Sequence, residues 1–170
     1  MQAFVRAIGH VNEWVGRVTG LLIVAVVLII LREVIGRSVF HAPSVWADES
    51  MTYLAGLAYV LGGGYALLHR KHVLVDLVYQ PVKNRGGRLR TIFDIAGFAL
   101  FAVYCVTLIW YGWEMGSTSF EQREGSGTLW NPPIWPLKLA IPLGGILLLI
   151  QGLANLFVDL GLAQKVAEDE

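Results

Sequence analysis

The chain has 170 residues, of which 55% are hydrophobic and 15% charged, and its mean hydropathy of +0.58 is too apolar for an ordinary water-soluble domain. Thirteen Lys and Arg balance thirteen Asp and Glu, so composition offers no broad basic surface and nucleic acid is not an expected partner. The single cysteine, Cys105, excludes an intramolecular disulfide and an all-Cys metal or iron–sulfur site within one chain; its place in an apolar run suits a small buried hydrophobe.

The first apolar run, Val18 to Leu31, is uncharged but short for a bilayer. It needs its flanks to cross: Trp14 at one interface, Arg17 snorkelling, and Arg32 and Glu33 either at the far interface or turned toward protein. Arg32, Glu33 and Val34 stand where a signal peptidase would need small residues, so the segment is expected to be retained. Ahead of it, Phe4, Val5, Ile8, Val11 and Val15 recur at helical spacing, with Arg6 and Asn12 elsewhere, which predicts a surface-lying N-terminal helix.

Three further stretches are free of charge for about a bilayer's thickness: Ser50 to Leu68, Ile95 to Trp113 and Leu139 to Val158. The expected architecture is therefore an all-α membrane protein forming a single integral membrane domain, with four transmembrane helices over approximately 14–37, 46–68, 91–115 and 136–159. Nine basic residues (Arg6, Arg17, Arg70, Lys71, Lys83, Arg85, Arg88, Arg90, Lys165) fall on one side and four (Arg32, Arg37, Arg123, Lys138) on the other. The positive-inside bias then puts both termini and the second loop in the cytoplasm.

Within the second span, Ala58, Gly62 and Ala66 form a small-residue ridge, a means for helices to approach closely in lipid. After it, His69-Arg70-Lys71-His72 leads into Val73 to Tyr79, a candidate interfacial helix. Arg70, Lys71, Arg85, Arg88 and Arg90 there are placed to meet anionic lipid heads. The segment from Glu114 to Trp135 is long for a helix connection and is either a solvated link or a contact surface. Pro136 suits the first turn of the last span, and Pro142 inside that span predicts a local bend.

No Asp, Glu, Lys or Arg lies deep in spans two to four, where one would usually mark an ion path. Gln151 and Asn155 are four apart and suited to packing. The four histidines lie near span ends and need no haem to satisfy them. No catalytic triad order or zinc-binding spacing is present, so neither enzyme chemistry nor a cofactor is expected.

Arg32-Glu33-Val34-Ile35-Gly36-Arg37-Ser38-Val39-Phe40 with Trp46-Ala47-Asp48-Glu49, then His72-Val73-Leu74-Val75-Asp76, then Pro133-Ile134-Trp135 with Pro142-Leu143-Gly144, together resemble the small (DctQ-type) membrane subunit of tripartite ATP-independent periplasmic (TRAP) transporters. The resemblance covers nearly the whole chain. It implies an inner-membrane scaffold without a transport site of its own, partnered by a large membrane subunit and a periplasmic substrate-binding protein in cation-coupled, commonly sodium-driven, uptake of an organic acid. It implies a functional element at Arg32, Glu33, Arg37, Trp46, Asp48 and Glu49, either an internal clasp or a subunit contact, with Arg37 to Asp48 or Glu49 as the first pairing to test. Glu121, Arg123, Glu124 and Trp130 become the expected docking surface for the binding protein. A dimeric four-span exporter and a redox membrane anchor are the competing readings.

Overall fold

The computed structural model describes residues 2–69 and 88–160, and in these it is helical with four long elements. They are α1 (Gln2–Ser38), α2 (Ala47–Leu68), α3 (Arg88–Glu121) and α4 (Trp135–Asp159). All four are long and apolar enough to cross a membrane. The candidate interfacial helix at Val73 to Tyr79, and the lipid-facing residues Arg70, Lys71 and Arg85, lie outside the described residues. Arg88 and Arg90 fall in the first turn of α3.

The expected N-terminal surface helix is not a separate element. α1 runs unbroken for 37 residues, about 55 Å at 1.5 Å per residue. The reason is packing: Val5, Gly9, Asn12 and Thr19 are all buried and continue one face into the span proper. α3 likewise continues past Met115 to Glu121. Its Gly116-Ser117-Thr118-Ser119 stretch reads as loop in sequence, but there the small residues let α3 close on the start of α4. A Cβ on Gly116 would stand 2.5 Å from Leu139 Cδ2, and Ser119 is buried.

α4 is the hub. It packs against α3, α2 and, more narrowly, α1, whereas α3 touches neither α1 nor α2 among the described residues. α1, α2 and α4 thus form a mutually packed group of three, and α3 joins it through α4. Glycine permits the closest approaches. A Cβ on Gly144 would come within 2.6 Å of the Val60 carbonyl oxygen, and one on Gly145 within 2.9 Å of Ile109 Cγ1. At the α1–α2 contact the Tyr65 ring lies on Gly16. Without these side chains the backbones approach and gain the dispersion contacts that hold helices together in lipid.

Two residues of the Ala58, Gly62 and Ala66 ridge bear on this pattern. Ala58 is buried, and Gly62 faces Thr19 Oγ1 at 3.6 Å, so it serves the α1–α2 contact. Pro136 sits in the first turn of α4, and Pro142 is buried inside a helix that continues through it, with Gly112 of α3 giving it room.

Candidate subunit-contact site

The first expected element gathers at the turn between α1 and α2. Glu33 is its centre, with a side chain 7% exposed. Its carboxylate accepts from the Ser44 backbone N–H at 3.2 and 3.3 Å, from the Ser44 hydroxyl, from Arg37 Nη2 at 3.1 Å and from Arg32 Nη1 at 3.3 Å. A buried carboxylate is tolerable only when its lone pairs are filled in this way. Arg37 also reaches Asp48 Oδ2, at 3.8 Å, so of the two expected acidic partners on α2 it meets Asp48. The shorter contact is to its own helix neighbour Glu33, a partner the sequence spacing of four allows. Arg32 lies over the Trp46 ring, 5.2 Å from its centroid, a cation–π arrangement. Asp48 and Glu49 occupy the first turn of α2, where negative charge complements the helix dipole.

Glu49 turns the other way. Both its oxygens accept from Ser126 Oγ at 3.3 Å, which ties α2 to the α3–α4 loop. That loop is strongly self-bonded: Ser126 N–H donates to the Pro132 carbonyl at 3.0 Å, Ile134 N–H to the Glu124 carbonyl at 3.1 Å, and Gly127 N–H to Asn131 Oδ1 at 3.0 Å. Arg123, Gly127 and Asn131 adopt positive φ, values that Gly and Asn take at low cost. Glu124 is paired with Lys138 Nζ of α4, and that ammonium holds its carboxyl below the usual carboxylate range.

The expected docking residues therefore divide. Glu124 is an anchor of the loop, whereas Glu121, Arg123 and Trp130 are exposed. Glu121 and Arg123 rim an open cleft of about 580 Å³ with Phe120, Pro133 and Trp135, the two aromatic rings meeting edge to face at 5.2 Å. Leu129, at 93% exposed, is the most solvent-facing large hydrophobe among the described residues, and no periodicity or motif in the sequence points to it.

A second polar network lies among the helices near their opposite ends. Asn12 Nδ2 donates to Gln151 Oε1 at 2.9 Å, Gln151 Nε2 to Asn155 Oδ1 at 3.1 Å, and Asn155 Nδ2 to the Leu67 carbonyl at 3.0 Å. Three helices are linked by one chain of amides. Nearby, His69 Nε2 lies 3.0 Å from Glu13 Oε2, and Arg17 Nε lies 3.5 Å from Glu13 Oε1. Among the described residues no group of three or more His, Cys, Asp and Glu side chains is arranged to hold a metal ion.

Four apolar helices, three in mutual contact and the fourth held by α4, joined by glycine contacts and side-chain amide hydrogen bonds and tied at one end by a charged clasp and a structured loop, define a multi-pass membrane protein. The family described as "Tripartite ATP-independent periplasmic transporters, DctQ component" matches residues 26–161, and the chain belongs to that family as a TRAP transporter small permease subunit. It is also similar to the sialic acid TRAP transporter permease protein SiaT of Haemophilus influenzae (strain 86-028NP), 31% identical over 71 residues. That match covers 42% of this chain and 11% of the relative's length.

Proposed function

We propose that this chain is a non-transporting scaffold: it braces the large membrane subunit of a TRAP transporter and presents part of the docking surface for the periplasmic substrate-binding protein. The complex sits in the bacterial inner membrane with both termini of this chain in the cytoplasm, and takes up an organic acid coupled to a cation gradient, with sodium as the coupling ion. One observation carries the reading. α1, α2 and α4 pack on one another while α3 has α4 as its sole helical neighbour among the described residues, which leaves long apolar flanks on α1 and α3 for another polypeptide.

Two further facts support it. The segment similar to part of this chain in the Haemophilus relative is a small part of a much longer permease, so there the matching segment is covalently joined to further permease sequence. The distribution of basic residues favours cytoplasmic termini. The clasp around Glu33 is internal on this reading, because all its acceptor capacity is met within the chain, and it holds the α1–α2 turn in shape. The open cleft beside Glu121 and Arg123 is the part of the outer surface offered to the binding protein. Co-expression with the large membrane subunit, followed by purification of the tagged small chain in mild detergent, tests the assignment: the two proteins purify together if the scaffold reading is right, and separately if it is wrong.

A further inference from the structure

We propose that the cleft at the α1–α2 turn is a binding site for the phosphate group of a membrane phospholipid, with Arg32 as its ligand. The cleft has a volume of about 520 Å³ and is lined by Arg32, Ile35, Gly36, Phe40 and Ala42, a single cation over an otherwise apolar wall. Its depth is set by sequence. The uncharged run of α1 ends at Leu31, so the Arg32 guanidinium stands where the hydrocarbon gives way to head groups.

The guanidinium is both held and available. Its plane is fixed over Trp46 and by one hydrogen bond to Glu33, yet the side chain is 53% exposed, and a guanidinium has five donors. A planar fork of N–H groups matches two oxygens of a phosphodiester. Glu33 does not depend on Arg32 for neutralisation, since Arg37 and Ser44 also serve it. Toward the bilayer, Leu28 lies one turn below Arg32, and Leu31 one turn below Ile35, on the same side of α1; both are more than half exposed. An acyl chain has a continuous apolar track there. A carboxylate from a protein partner would find the same donors but no use for the apolar wall and track. The site needs only the bilayer, not the large subunit.

The test is lipid binding to the purified, delipidated full chain in non-ionic detergent, read by native mass spectrometry. Phosphatidylglycerol is compared with diacylglycerol of the same acyl chains and with inorganic phosphate. Phosphatidylglycerol is expected to saturate one site at least about tenfold more tightly than diacylglycerol, the minimum for a charge-assisted hydrogen bond to phosphate. Arg32→Gln should abolish that preference, Arg32→Lys should retain part of it, and Arg6→Gln should leave it intact. Gly36→Leu, which keeps the arginine and fills the cleft, should weaken binding without loss of helix content by circular dichroism. Equal binding of diacylglycerol, displacement of the lipid by millimolar inorganic phosphate, or unchanged binding by both Arg32→Gln and Gly36→Leu would overturn the proposal. So would loss of the lipid on assembly with the large subunit, together with a cross-link from position 32 to that protein, which would give the cleft to a protein carboxylate.

Discussion

Asn12 of α1 and Gln151 of α4 share a 2.9 Å hydrogen bond although 139 positions separate them, and both side chains are almost fully buried. Asn12 reaches Gln151 because Gly64 of α2 has no side chain: a Cβ there would stand 2.1 Å from Asn12 Oδ1. Gly64→Ala should therefore displace the amide and destabilise the protein by about 1–3 kcal/mol, the usual cost of overpacking. Asn12→Ala alone should cost about 1 kcal/mol, the scale of an interhelical hydrogen bond in a membrane. The double variant should be less unstable than the sum of the two, because removing Asn12 removes the clash. Unfolding in mixed detergent micelles measures all three; strict additivity would show that the two residues are not coupled.

Gly144 and Gly20 make a matched pair for the helix contacts. Gly144→Ala should lower stability by about 1–3 kcal/mol, because its Cβ would press on the rigid Val60 backbone at 2.6 Å. Gly20 has nothing within 4 Å, so in the isolated chain Gly20→Ala should be neutral or stabilising by up to about 1 kcal/mol through helix propensity. The same unfolding assay distinguishes them, and equal effects would argue against close α2–α4 packing as a source of stability.

At the clasp, Glu33 and not Arg37 is the residue on which the turn depends. Glu33→Ala should lower the thermal midpoint and loosen the turn far more than Arg37→Ala, because the Ser44 N–H and hydroxyl lose their acceptor. Hydrogen exchange at the Ser44 amide reports this directly. Comparable exchange in the two variants would place the weight of the turn on Arg37 instead.

Much of this was readable beforehand, and the exceptions are physical. The four spans follow from runs of apolar residues, since a bilayer imposes a length and a polarity that sequence displays plainly. Of the small-residue ridge on α2, Gly62 faces α1 and Ala58 is buried, whereas Ala66 is only half-buried. The share of the work done by α4 was not readable, because Gly144, Gly145 and Gly152 read as ordinary membrane-helix glycines until the facing atoms are known. Gln151 and Asn155 were recognisable as an i,i+4 pair, but Asn12 looked solvent-facing, because nothing in a local window shows that α1 is long enough to bring it onto α4. Arg37 was matched across the turn by charge alone. Geometry gives it Glu33 as well and hands Glu49 to Ser126. A signal for Glu33 did exist: four residues before Arg37 on one helix face is the natural first partner.

Acid should loosen the α3–α4 loop. Glu124 is lowered chiefly by its hydrogen bond to Lys138. A carboxyl with a depressed folded-state value adds stability that is complete above its unfolded value and disappears as pH falls through the folded one. The loop should thus remain attached from pH 7 to about pH 5 and release below the ordinary carboxylate value of about 4.3. Trp130 fluorescence across this range reports the release, and Glu124→Gln should flatten the profile in that window. A transition centred above pH 6 would assign the event to another group.

Charge on the open cleft should act on encounter more than on assembly. Glu121→Gln with Arg123→Gln is expected to reduce uptake a few-fold at low concentrations of binding protein, and to change its salt dependence, while the large subunit still co-purifies in full. Loss of assembly in this variant would make these residues part of the membrane interface.

The most direct measurement is solute flux into liposomes, with and without an inward sodium gradient, holding this chain alone, the large subunit alone, or both with the loaded binding protein. The scaffold account predicts no flux through this chain by itself and sodium-dependent uptake of an organic acid only when all three proteins are present. Coupled flux through the isolated chain would contradict it.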